Sequence, residues 1–293
     1  MSIITKTIPL LNHSLKLESA FTPDALVSAV RAEKRLPATP IPEICVLDFD
    51  GDLTDWMVSS GAARPCLSWA CFHTSMFSVE MDGDSCGIIA RTIGGSYAVL
   101  IAEQLAVSGA RVVFGLTSAG RVKPSLRIPS LVVATQAIRD EGTSYHYLPP
   151  SHSVQAPLGI PDILAAELGS LGIPVFQGLV WTTDAPYRET WETHEQLVRH
   201  ARSGAFAVEM QAASLFAFAA ARHVAVGVVA HITNAADHAG EPFDKGPQSE
   251  GYALLRAIYR AGGCAMDREV DDHKTEALTT ISRRIRWRNV NWT

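Results

Sequence analysis

The sequence predicts an α/β fold built as one main domain, on three observations. Short apolar runs such as Ile44-Cys45-Val46-Leu47 and Val224–Ala230 have the length and branching of buried strands. Between them lie longer segments with helical spacing, and glycine- or hydroxyl-rich turns recur where strand gives way to helix. Of the 293 residues, 47% are hydrophobic, enough to fill a large core, and nothing after residue 42 reads as a linker.

Taken in order, residues 1–42 read as an N-terminal arm. It holds a helix over Pro23–Lys34 and then the breaker-rich stretch from Leu36 to Pro42. The domain proper spans 43–264, and 265–293 form an extension packed on it or at a subunit contact. Ile44–Leu47 is a strand that runs into an acidic turn, Asp48 to Asp52. Phe77–Met81 and Gly87–Ala90 flank Asp82-Gly83-Asp84 and predict a hairpin. A glycine turn, Ile93-Gly94-Gly95-Ser96, opens a helix over Tyr97–Val107 that Ser108-Gly109 closes. Strand Arg111–Phe114 follows, and Gly115–Gly120 reads as a loop of small residues. Strands over Leu131–Ala134 and Val175–Trp181 bracket a helix from Pro161 to Leu171, which Gly172 ends. An alanine-rich helix over Ala212–Ala221, the strand Val224–Ala230 and a last helix over Ser249–Ala261 complete the pattern.

Composition excludes some classes of function. A net charge of −5 argues against nucleic-acid and membrane-surface binding, which need a basic face. The terminal cluster Arg283, Arg284, Arg286 and Arg288 reads as a solvated face or a subunit contact. No apolar run approaches the length of a bilayer span. The five cysteines have no metal-binding spacing and fit a reducing compartment, so the expected location is the cytoplasm. No histidine–carboxylate constellation predicts a metal, and no Gly-x-Ser-x-Gly elbow predicts a serine hydrolase.

Six segments carry groups suited to a small polar ligand. Gly94 and Gly95 let a backbone approach closely at a helix start. Thr117, Ser118 and Gly120 offer hydroxyls and amides. Arg139–Pro150 is dense in titratable and aromatic groups. Tyr187 can stack on a ring, and Arg188 can meet a carbonyl edge in a planar fork. Glu209, Met210 and Gln211 precede a small-residue helix, and His231–Asn234 ends a strand.

In this order, these segments resemble the nucleoside phosphorylase superfamily, which includes uridine and purine nucleoside phosphorylases and related nucleosidases. Ile93–Val122 follows the uridine phosphorylase pattern without a gap, and Asp140–Pro149, Thr182–Tyr187, Glu209–Ala213 and Thr233-Asn234 succeed it. The resemblance implies a three-layer sandwich around a mixed, partly barrel-like sheet, assembled as a homo-oligomer (dimer, trimer or hexamer). It implies a nucleoside and inorganic phosphate as small-molecule partners, with no organic cofactor. Ribose would be held by Glu209, Met210 and Gln211, and the base near Gly120, Tyr187, Arg188 and Asn234. Phosphate would sit near Gly51 and Ser118, with Gly94 and Thr117 completing the site. Catalytic roles then fall to Ser118, Glu209, Gln211 and Asn234.

The chain departs from the family where phosphate is bound. Two family arginines fall on Gly115 and near Asp55, and one lent by a neighbouring subunit falls near Phe72 or His73. Arg91 and Arg121 are the candidate replacements. Gln211 stands where the family has a ribose-binding glutamate, and Asn234 where nucleosidases have a base-protonating aspartate. Phosphorolysis is the first expectation, phosphate-independent hydrolysis the second, and a non-catalytic nucleoside-binding relative the third.

Overall fold

A computed structural model describes residues 8–12, 14–188, 192, 204–235 and 250–268. The arginine cluster near the C-terminus, Glu189, Thr190 and Ser249 lie outside these residues. Helix α1 (Pro23–Lys34) starts where the Thr22 hydroxyl accepts from Ala25 N and Pro23 occupies the first turn. It stops at Arg35, which adopts a left-handed conformation. Strand β1 (Ile44–Asp48) is buried along its whole length, as a central parallel strand must be. Helix α2 (Asp52–Ser59) begins inside the acidic turn, where Asp52 and Asp55 suit the positive end of a helix.

Strands β2 (Ala63–Pro65), β3 (Met76–Met81) and β4 (Asp84–Ala90) form an antiparallel wing, with the hairpin in the expected place. Helix α3 (Gly95–Val107) buries Ala98, Ile101, Ala102 and Leu105, the i, i+3, i+4, i+7 face. Strand β5 (Val112–Arg121) corrects one expectation, because Gly115–Gly120 are strand rather than loop. Their backbone groups pair with β10 (Ala225–Ala235), so a segment too small and polar to look like a strand is fixed by its neighbours.

Strand β6 (Ser130–Asp140) follows, then β7 (Ser153–Gln155), helix α4 (Ile160–Leu168) and β8 (Val175–Thr183). After these come β9 (Ala205–Glu209) and helix α5 (Ala212–Arg222), and residues 250–268 form helix α6. Strands β5, β10, β6, β8 and β9 close into a five-strand barrel, because β5 pairs with β10 along its length and with β9 at its end. Along its first half β5 also pairs with β1, which carries β4, β3 and β2 outward as an open sheet.

Helices pack on both faces. One face buries Ile101 and Leu105 of α3 with Phe216 and Phe218 of α5. The other buries Met57, Leu164, Leu168, Leu255 and Ile258. Each such side chain contributes on the order of 1.5–3 kcal/mol of apolar burial, so both layers are needed. Among the described residues no helix is long and apolar enough to cross a membrane.

Candidate functional site

The site lies where the open sheet meets the barrel, at the carboxyl ends of β1 and β8 and beside β5, β9 and β10. Strand β1 delivers Asp48 into the interior, where its carboxylate organises the following turn. Oδ1 accepts from Gly51 N at 3.2 Å, and Oδ2 accepts from Thr54 N at 2.8 Å and Thr54 Oγ1 at 2.7 Å. Burial pushes the Asp48 pKa up; these three bonds oppose the shift, and the Asp50 charge adds to it. Gly51 caps α2 with φ of +88°, a conformation that favours glycine.

The turn so fixed places Asp50 against β5. Its Oδ2 accepts from Ser118 N at 3.3 Å and also from the Ser118 hydroxyl. The two Ser118 donors that would greet an incoming anion therefore already hold a carboxylate. Asp50 is not among the site residues expected from the sequence. Its signal was the aspartate-rich turn after β1, but its partner depends on the pairing of Asp48 with Leu116 across β1 and β5.

Glu209 ends β9 beside Thr182 of β8, its register partner. The carboxylate is wholly buried. Thr182 Oγ1 donates to Oε1 at 2.5 Å, while Gln211 N and Ala212 N donate to Oε2 at 2.6 and 2.8 Å. Burial raises its pKa to about 7; the three hydrogen bonds pull it down and Glu141 pushes it up. Gln211 turns its side chain toward β5, with Oε1 accepting from Met210 N at 3.2 Å and lying 3.3 Å from Thr117 Oγ1. Asn234 is buried at the end of β10, where its Oδ1 accepts from Thr233 Oγ1 and its Nδ2 donates to Ala235 O.

These groups enclose a cleft of about 260 Å³. Thr117, Ser118, Gly120, Met210, Gln211 and Asn234 line it together with Asp50 and Glu209. Tyr187 stands at its edge with 99% of its surface exposed, on the short turn Pro186–Arg188. A second cavity of about 550 Å³ shares Asp50, Thr117 and Ser118 with the cleft, and Asp48, Asp52 and Asp55 also line it. The region around Ser118 is thus strongly acidic.

Other expected residues fall outside the cleft walls. Gly51 caps α2, Gly94 caps α3, and Arg188 lies exposed at the end of its turn. Arg91 crosses over Gly51 but pairs with Asp55, whose carboxyl it holds below the usual carboxylate range. Arg121 Nη1 donates to Leu126 O at 3.2 Å and is not among the cleft-lining residues.

The family profile described as the phosphorylase superfamily matches residues 43–257, most of the chain. The chain belongs to the phosphorylase superfamily. It is similar to a uridine phosphorylase of Salmonella typhimurium, 24% identical over 191 residues, covering 61% of this chain and 72% of that one. A uridine phosphorylase of Escherichia coli is 25% identical over 164 residues, 52% and 65% of the two chains. One of Thermococcus kodakarensis reaches 33% over 95 residues, 32% and 34%. The closed barrel with its added open sheet and flanking helices is the architecture expected of this family. Within the family, this chain's Gly115 has a local steric cause. A side chain there would set its Cβ 2.8 Å from the Phe49 ring, so an arginine at that position would require Phe49 to move.

Proposed function

We propose that the cleft binds a nucleoside and cleaves its N-glycosidic bond with water as the attacking group. The observation that carries this reading is the Asp50 carboxylate on the Ser118 amide and hydroxyl. A phosphate dianion at that position would meet a fixed negative charge with Asp48, Asp52 and Asp55 behind it. Water needs no cation there. It needs an acceptor for its proton, and a carboxylate steadied by two donors supplies one.

In this reading the sugar lies against Met210 and Gln211, and the base between Gly120, Asn234 and Tyr187. The bond from C1′ to the base nitrogen breaks, and the base leaves with the electron pair. The sugar becomes oxocarbenium-like, and the nearby negative charge of Asp50 stabilises it. Water oxygen bonds to C1′ and its proton passes to Asp50, which returns it to solvent, while the departed base takes up a proton from solvent. The products are free base and free sugar, and Ser118 serves by orienting Asp50.

Phosphorolysis is the second reading. The names of the relatives favour it, and so does the position of Arg91 over Gly51. It requires phosphate to displace Asp50 from Ser118 and to draw Arg91 from Asp55. Incubation with uridine, inosine and adenosine, with and without phosphate, separates the two. Base release in phosphate-free buffer supports hydrolysis, and release only with phosphate overturns it in favour of phosphorolysis.

A further inference from the structure

We infer that Glu209 is a positioning residue, which holds the first turn of α5 so that Gln211 presents its side-chain amide to the sugar. This inference rests on the nucleoside-cleaving reading of the cleft.

The first amides of a helix have no partner within it and must find one elsewhere. At the start of α5 two side chains provide for three of them. Glu209 Oε2 takes Gln211 N and Ala212 N, and Thr182 Oγ1 takes Ala213 N at 3.0 Å while giving its own proton to Glu209 Oε1. Both carboxylate oxygens are thereby committed to the chain, on a residue that is almost wholly buried. Gln211 is the residue at the pivot. Its backbone N–H is held by Glu209, and its side-chain oxygen faces Met210 N and Thr117. That arrangement leaves the Gln211 amide nitrogen as the donor available toward the cleft.

A second attachment fixes the same turn from its other side. Ser214 Oγ donates to Glu141 Oε2 at 2.5 Å, and Gly95 lets Ser214 approach α3 closely. The acidic groups on the surrounding elements are Asp140 at the end of β6, Glu141 after it, Asp184 after β8, and Asp50 across the cleft. Glu141 acts on Glu209 in the sense that favours the neutral acid. Burial acts in the same sense as Glu141, and the three donors oppose both by favouring the carboxylate.

The test is a double-mutant cycle on Glu209→Gln and Gln211→Ala, with Thr182→Val and Thr182→Ser as companions. An amide at 209 cannot accept on both sides, so Gln211 shifts, and a displacement of this kind lowers kcat by about 10- to 100-fold. In the Gln211→Ala background, Glu209→Gln lowers kcat by less than about threefold, because the residue it acts through is gone. Thr182→Ser keeps wild-type kcat and Thr182→Val loses it in the same direction as Glu209→Gln. Unfolding midpoints are followed in parallel, since a merely structural role moves them equally in both backgrounds. Equal losses of kcat in the two backgrounds would overturn the inference and place Glu209 in direct contact with the sugar. Should the wild-type chain release no base, the cleavage reading fails alone. The cycle is then read in the uridine, inosine and adenosine affinities from calorimetry, by the same criterion. A chain that neither cleaves nor binds any of the three overturns both.

Discussion

Asp50→Asn removes a charge and a proton acceptor with almost no change of shape. The amide oxygen still accepts from Ser118 N or its hydroxyl, and the turn remains held by Asp48 through Gly51 and Thr54. Asp50 is only half-buried, so the variant keeps the fold. Loss of a general base lowers rates by about 10²–10⁴-fold. That corresponds to about 3–5 kcal/mol of barrier. Weakening the two bonds to a charged acceptor acts in the same direction. The assay is base release from the best of the three nucleosides in phosphate-free buffer, followed by chromatography for wild type and variant. The expected outcome is a fall of at least about a hundredfold in kcat with KM changed far less. A variant within about threefold of wild type would refute the assignment of Asp50 as proton acceptor, whatever the acceptor substrate proves to be.

Four further outcomes follow from the geometry. The Glu209 pKa of about 7, above the ordinary 4.5, makes unfolding release a proton between those values. Wild-type stability then falls as pH rises through that window, by up to on the order of 3 kcal/mol, and levels off above it. Glu209→Gln loses this component, so parallel urea midpoints for the two proteins across the window would contradict it. Base release should rise through about pH 7 as Glu209 ionises and regains its place as acceptor for α5. Gly95→Ala sets a Cβ 2.0 Å from Ser214 Oγ and 2.8 Å from its Cβ. Overpacking of this kind costs about 1–3 kcal/mol, and an unchanged urea midpoint would show that α3 and α5 separate freely. Tyr187→Ala removes an exposed ring at the cleft edge, so Tm stays put while KM rises several-fold; an unchanged KM would remove Tyr187 from base binding.

Local signals made the helices and the hairpin readable in the sequence. Proline at the start of α1, Asp82-Gly83 between β3 and β4, and the apolar face of α3 each act within a few residues. The extension of β5 through Gly115–Gly120 was hidden because its strand character comes from pairing with β10, more than a hundred residues away. Helix α2 was missed for the opposite reason. Its acidic first turn resembles a loop in composition, although carboxylates suit that end of a helix. Within the cleft, the small-residue strand and the Met210-Gln211 segment were found by residue chemistry and family order. The Asp50–Ser118 contact required knowing that β1 and β5 are neighbours in register. The glycine turn signified packing as well as access, since Gly95 admits Ser214 rather than a ligand.

Strand β5 belongs to two structures at once, the open sheet through β1 and the barrel through β10 and β9. Asp50 hangs from the first, whereas the Glu209–Gln211 segment hangs from the second. Under the proposed reading, the choice of attacking molecule and the choice of nucleoside are carried by separate modules that meet along one shared strand. On that reading, sequence change in the turn after β1 exchanges water for an anion without disturbing the residues proposed to hold the sugar. Grafting residues 50–55 of a phosphate-using relative into this chain, together with a smaller residue at Phe49 and arginine at Gly115, should alter the acceptor and leave nucleoside preference intact.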